Sequence, residues 1–542
     1  MNLGVSRRAP SSARAAVMAL FAAAVLMILF ASAALPLAPP AAASAQPFAA
    51  GSPSPAPAPG GAGTTGLPAW QVVPVAGIPQ TATQLLALTC VSSTDCWAVG
   101  NVWPGGATNS GEGPAATLAI HWNGTNWTRV PTPSPAYGNG PGDALDTIAC
   151  PASTDCWAGG WQGAGPGTNG IGLLLHWNGT RWAAPPNPAL LGISGPIGAL
   201  ACSSAAQCWA AGARGSPGGG YLYNAGGTRS LLRYSTLTGH AGWRLAGDTR
   251  QLPPTAGITS LACVPGAAVC WMVGAVPNPG AVPGPGLQQP SADTFAAEYV
   301  PGRGWAQTPT PSPPAPYSGP VDQLTSVACT SAASCWAAGD NPSNAASLET
   351  SSGETFLAYH WNGRGWSPAP VAAPPATSPA GFSAPSVSCS SAMSCWITGT
   401  SWSVTVGPGE SYATAPPTYS AVAEHWDGSS WSQVRLPEPN SPDVRLSSVA
   451  CVPGMCFAAG SYSGPFIPGS AAPAVHPLLL RAAAPRAQAG APGAVSWWSG
   501  LERSRDLVAE VAGAGIIIAL AGAAGTGAVI RHRRRRTGRL RP

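Results

Sequence analysis

Residues 85–127 read LLALTCVSSTDCWAVGNVWPGGATNSGEGPAATLAIHWNGTNW. The landmarks are Cys90, the run Cys96-Trp97-Ala98-Val99-Gly100, the run His121-Trp122-Asn123-Gly124, and Trp127. The same order returns six more times in varied form. First cysteines stand at Cys90, Cys150, Cys202, Cys263, Cys329, Cys389 and Cys451; second cysteines stand at Cys96, Cys156, Cys208, Cys270, Cys335, Cys395 and Cys456. These are all 14 cysteines of the chain, and the first ones follow one another at spacings of 60, 52, 61, 66, 60 and 62 residues. A period longer than a hairpin and shorter than a domain marks a repeat architecture.

The second unit shows what each repeat builds. Residues 144–150 alternate and predict a strand, five residues turn, and Cys156-Trp157-Ala158-Gly159 opens a second strand. After a Gly-rich loop, residues 172–177 predict a third strand. Asn178-Gly179 is a hairpin turn signal, because both positions tolerate positive φ, and Arg181-Trp182-Ala183 opens a fourth strand. Four short antiparallel strands in each of seven units predict an all-β chain, a seven-bladed β-propeller over residues 69–482.

Counting the fourth-strand tryptophan tests this. It stands at Trp127, Trp182, Trp243, Trp305, Trp366 and Trp431, and the last unit lacks one. The missing strand precedes the first unit as Trp70-Gln71-Val72-Val73-Pro74. That N-terminal strand is expected to pair with residues 477–481 and close the ring, protecting edges that an open array exposes.

The two ends of the chain predict its address. A short segment with Arg7, Arg8 and Arg14 precedes the apolar residues 15–36, and Ala43-Ser44-Ala45 supplies a small-x-small site. Residues 1–45 therefore read as a secretory signal peptide, with an uncleaved signal anchor as the alternative. Residues 507–530 form an apolar run long enough to cross a hydrocarbon core of about 30 Å. Trp497 and Trp498 precede it, and Arg531, Arg533, Arg534, Arg535 and Arg536 follow it. An aromatic belt and a stop-transfer cluster put the array outside and the basic tail, residues 531–542, in the cytoplasm. Linkers rich in Pro, Ala and Gly are expected at 46–68, and a juxtamembrane linker at 483–506.

Charge agrees with that topology. There is no lysine among the 25 basic residues, and ten of the arginines flank the two apolar runs. The remainder is slightly acidic, so nucleic acid is not an expected partner; the membrane is, through one C-terminal span.

Fourteen cysteines in an exported chain predict disulfides within each unit, Cys90 with Cys96 and so on round the array, at about 2 kcal/mol each. Zinc is the rival reading, disfavoured because the pairs sit on separate blades. Trp97, Trp157, Trp209, Trp271, Trp336, Trp396 and Phe457 recur at one register and read as packing between blades. His121, His176, His360 and His425 also share a register, with Arg233, Glu298 and Leu479 expected in the equivalent places. A metal site does not tolerate that mixture, so they read as strand-surface histidines. Asp95 and Asp155 read as turn residues.

The repeated C-x5-C-W-A-x-G and H-W-N-G-x-x-W pattern resembles that of secreted or surface propeller proteins of high-GC bacteria, in the broad YVTN- and BNR-like group. The resemblance implies the propeller fold and no specific chemistry. The sialidase Asp-box, S-x-D-x-G-x-T-W, is absent.

Function is less legible. No nucleophile elbow, zinc-protease, P-loop or dinucleotide motif occurs in a usable context, and no cofactor is expected. Asp143, Asp340, Glu112, Glu349, Glu354 and Glu410 lie in predicted loops. A polysaccharide hydrolase or lyase built on such carboxylates is one alternative to a binding module, and a structural envelope spacer is another. Four aromatics follow second strands in neighbouring units, Trp103, Trp161, Trp402 and Tyr462. They are the candidate ligand-binding residues, a platform for sugar rings or for a surface protein.

Overall fold

The computed structural model describes residues 69–80, 82–103, 115–135, 142–163, 171–185, 195–214, 228–236, 242–247, 249–278, 292–311, 322–340, 356–371, 380–403, 417–466 and 473–483. The expected signal segment, linkers, membrane span and tail lie outside them. Among the described residues no helix is long and apolar enough to cross a membrane.

The strands form seven four-stranded antiparallel sheets. Blades 1 to 6 run Thr83–Val130, Asp143–Ala183, Ile197–Leu245, Gly257–Thr308, Gln323–Pro368 and Ala380–Gln433, each with its strands in chain order from the centre outwards. Blade 7 takes three strands from Val444–Ala483 and its outermost from Trp70–Val72. The closing register is Trp70 opposite Ala482, Gln71 opposite Arg481 and Val72 opposite Leu480. The Val73 amide adds a bond to Leu479 O at 2.8 Å. Closure by the N-terminal strand is therefore as the tryptophan count predicts. The third strand of this blade is longer than expected, Pro473–Ala483.

Aromatic packing joins the blades. The second-strand ring of each blade meets the outermost tryptophan of the next one edge to face. The pairs are Trp97–Trp182, Trp157–Trp243, Trp209–Trp305, Trp271–Trp366, Trp336–Trp431, Trp396–Trp70 and Phe457–Trp127, with centroids 5.0–5.4 Å apart. Interplanar angles of 77–89° place the positive edge of one ring on the negative face of the other. The period of the repeat thus becomes a ring of equivalent seams, and the aromatic pair between blades 6 and 7 is completed by Trp70.

Each blade is stapled at its inner hairpin by one disulfide, seven in all, with Cα atoms 3.9–4.1 Å apart. Every pairing is within a unit, so no sulfur is left for zinc. Seven disulfides indicate an oxidising compartment.

A further regularity is absent from the predicted strands. Every innermost strand carries a bulge at an equivalent place, with shifts at Leu85/Ala87, Leu145/Thr147, Ile197/Ala199, Ile258/Ser260, Leu324/Ser326, Ser383/Ser386 and Leu446/Ser448. A bulge pushes an inner-strand carbonyl towards the second strand. A Cβ on Gly100, Gly160, Gly274, Gly339 or Gly460 would lie within 1.9–2.0 Å of that oxygen. In these five blades the glycine four places after the second cysteine is thus a steric requirement of the bulge; at Gly399 in blade 6 the corresponding oxygen, Ser383 O, is 3.2 Å away.

Candidate functional site

The bulges shape the centre of the disc. The skipped residues Leu86, Asp146, Gly198, Thr259, Thr325, Pro385 and Ser447 all line one axial cavity of about 950 Å³, walled by the seven innermost strands. Much of its polar wall is already engaged in holding the blades together. Ser448 Oγ accepts from the Leu88 amide at 3.1 Å, Ser260 Oγ from Val327 at 3.3 Å, Ser326 Oγ from Val387 at 3.0 Å, and Ser386 Oγ from Val449 at 3.2 Å. Thr325 Oγ1 donates to Pro385 O at 2.6 Å, and Thr259 Oγ1 donates to Leu324 O.

Two acidic side chains line the cavity. Asp340 accepts from Gln323 Nε2 at 2.7 Å. Asp146 stands on the blade 2 bulge; its side chain as a whole keeps some exposure, but Oδ2 is buried and has no hydrogen-bond partner. Burial raises its pKa to about 7.

A second cluster lies on the rim where blades 6 and 7 meet, on the face carrying the second-to-third loops. Its backbone frame is a bridge between Tyr419 and Asp443, with the Tyr419 amide bonded to Pro442 O at 2.8 Å. Arg445 Nε donates to Asp443 Oδ1 at 2.5 Å, and its guanidinium carbon sits 3.8 Å from the Tyr419 ring centre. Ser463 Oγ donates to Asp443 Oδ2 at 2.8 Å. On the neighbouring strand Tyr462, opposite Val444, stacks on His476, centroids 4.8 Å apart and planes 14° from parallel. The Arg445 side chain remains 48% exposed, so a polar group held in fixed orientation faces outwards against the Tyr419 ring.

The four predicted ligand-binding aromatics are all half-buried at the ends of second strands. Tyr462 joins the rim cluster, and Trp402, the cross-strand partner of Tyr419, lies in the cavity wall. Trp103 and Trp161 stand at the ends of the corresponding strands of blades 1 and 2. Among the described residues no ring contact joins any two of the four. Tyr419, Asp443, Arg445 and His476 escape sequence reasoning because they come from different strands and share no repeated motif. Asp146 escapes it because a bulge leaves no period-2 signal of its own.

Of the predicted loop carboxylates, the two that are described, Asp143 and Asp340, stand on different blades. Asp143 and Asp340 are both buried, in blades 2 and 5, and the four glutamates lie outside the described residues. The histidine register acquires a different role, and in blade 7 Arg481, opposite Phe457, holds its place instead of Leu479, because the third strand pairs two residues further along. His121 Nε2 lies 2.8 Å from Asp95 Oδ1, and His176 Nε2 lies 2.8 Å from Asp155 Oδ1. Each imidazole also packs on its own blade's tryptophan, at 4.4 Å for Trp97 and 4.3 Å for Trp157. In blades 5 and 6 Ser334 and Ser394 replace the aspartates. Asp95 and Asp155 are therefore partners of the histidines as well as turn residues. Among the described residues no group of three or more His, Cys, Asp or Glu side chains is placed to hold a metal.

No family model matches the chain, and no curated protein does. Solved structures match the chain at very low identity. A polysaccharide lyase superposes with a TM-score of 0.40 at 9% identity, covering 73% of this chain and 89% of that one. An ulvan lyase gives a TM-score of 0.36 at 9% identity, covering 77% and 94%. A Trypanosoma rangeli sialidase bound to the inhibitor DANA gives 0.34 at 7% identity, covering 66% of this chain and 56% of that one.

Proposed function

We propose that this chain is an extracytoplasmic binding propeller that takes a glycan at the rim of blades 6 and 7. The observation that carries the reading is the exposed Arg445, held by Asp443 and lying over the Tyr419 ring, with the Tyr462–His476 stack on the adjoining strands of the same rim. Flat aromatic faces accept the apolar face of a pyranose ring, and a pre-oriented guanidinium–carboxylate pair offers donors and acceptors to its hydroxyls. Because Asp443 holds Arg445 from one side and Ser463 fixes Asp443, the polar group is ordered before ligand arrives, which lowers the entropic cost of binding.

The rest of the proposal concerns address. Residues 1–45 direct export and residues 507–530 anchor the chain, leaving the propeller outside and residues 531–542 in the cytoplasm. The charge asymmetry of the ends and the seven disulfides support this. Membrane fractionation with protease protection checks it: the propeller should be digested from outside and the tail should not.

Glycan-array binding followed by calorimetry tests the rim. Tyr462→Ala and Arg445→Ala should each weaken a positive ligand about tenfold or more, the scale of one aromatic or charge-assisted contact. Unchanged affinity in both variants rejects the site. Turnover of the bound glycan by the wild-type protein would make it an enzyme instead.

A further inference from the structure

The axial cavity is separate from the rim cluster, and its chemistry points to a different ligand group. Among the described residues its lining contains no Arg or His side chain, in a chain that has no lysine at all. Its titratable side chains are the two acids, since the lining cysteines are all in disulfides. Asp340 is already held by Gln323, whereas Asp146 keeps part of its side chain open to the cavity and its inner oxygen, Oδ2, has no donor to fix it. A carboxylate desolvated on one side and unpartnered is a costly arrangement that a donor reaching its open side from the cavity would relieve. The equivalent bulge position on the next blade is Gly198, where a Cβ would meet nothing within 4 Å, so there is open space at this height of the ring. Trp402 supplies an apolar surface in the same cavity wall.

We infer that the axial cavity binds a sugar carrying a free primary amine, with the ammonium group donating to Asp146. An ammonium has three donors and no acceptor, so one carboxylate and neighbouring hydroxyl or carbonyl oxygens satisfy it. A divalent metal ion fits less well, because it calls for six or more oxygen ligands, usually from several carboxylates. The volume lies in the range of small-ligand pockets, and the wall mixes hydroxyls with apolar groups as such pockets do. This site stands whether or not the rim binds glycan.

Calorimetry on the propeller with glucosamine trisaccharide and its fully N-acetylated counterpart tests the inference. Wild type should bind the amine form and should bind the acetylated form at least tenfold more weakly. Asp146→Asn keeps the shape of the side chain and should cost at least tenfold in affinity for the amine form. Gly198→Leu, which places a bulky side chain in the open space, should block binding by a second route. Circular dichroism and thermal midpoints establish that both variants are folded. Arg445→Ala and Tyr462→Ala should leave this binding intact, which separates it from the rim. No binding of the amine form by wild type, equal binding of the two sugars, or full affinity in Asp146→Asn overturns the inference.

Discussion

Truncating Trp70 to alanine should destabilise the whole ring, although the residue lies before the first repeat. Trp70 is 5% exposed and meets Trp396 edge-on at 5.1 Å and 87°. It packs in a cluster with Leu446, Val449, Leu478 and Leu480. Removing a buried aromatic of this size costs about 3–5 kcal/mol, and the aromatic pair accounts for about 0.5–1.5 kcal/mol of it. The three backbone pairs of the closing strand survive the substitution, so the expected loss is a side-chain effect of about 4 kcal/mol. Trp305 is the internal standard, because it occupies the same position in blade 4 and meets Trp209 at 5.1 Å. Urea unfolding of the disulfide-intact protein, followed by circular dichroism, gives both numbers. Trp70→Ala and Trp305→Ala should agree within about 1 kcal/mol. If Trp70→Ala costs under about 1 kcal/mol while Trp305→Ala costs its full share, the N-terminal strand does not close the propeller. Deleting residues 1–74 should do more damage than either, because it also exposes the edge of Pro473–Ala483.

Gly100→Ala should cost several kcal/mol or prevent folding, since its Cβ would lie 2.0 Å from Gln84 O; Gly198→Ala should be neutral or slightly stabilising, and thermal midpoints compare the two. Replacing Cys202 and Cys208 together by serine should cost about 2 kcal/mol by the chain-entropy relation, read as a lower urea midpoint; reducing all seven bridges should unfold the chain near room temperature. Glu424 is 1% exposed where the equivalent residues are Ile120, Leu175, Leu232, Ala297, Tyr359 and Leu480, and burial raises its pKa to about 7. Its folded pKa exceeds its unfolded one, so stability is complete below about pH 4 and is lost as pH rises towards 7. Glu424→Leu should therefore stabilise the protein more at pH 8 than at pH 5 in paired denaturation curves. His360 and His425 act oppositely: burial lowers their pKa, so their stability is present above about pH 6.5 and lost on acidification below it, and replacing both by glutamine should flatten that limb.

Most of the architecture was legible because it is periodic. Seven copies of a cysteine pair fix blade number, and one surplus tryptophan fixes how the ring closes. Those signals survive because each repeat must solve the same packing problem at its seam, so the same rings recur at the same register. The site was much less legible for the opposite reason. Arg445, Tyr419 and His476 belong to one seam, and nothing in the other six units repeats them. Tyr462 was visible only as an aromatic after a second strand, with no indication that His476 would lie against it. The glycine after each second cysteine was visible as part of the motif, but its cause lies on the neighbouring strand. Asp146 reads as one more polar position in an alternating strand until the bulge turns it to the centre.

The pairing of Trp70 with Ala482 has a consequence for the order of events in biosynthesis. The strand made first must wait for the strand made last, about 400 residues later, or about 20–80 s at ordinary elongation rates. Joining ends that far apart carries an entropic cost of about 5 kcal/mol before any contact repays it. The inner hairpins, clamped by bridges between neighbours only five to seven positions apart, face no such delay. Assembly should thus leave a nearly complete circle with one gap, and the tryptophan that fills it spends that interval in solvent.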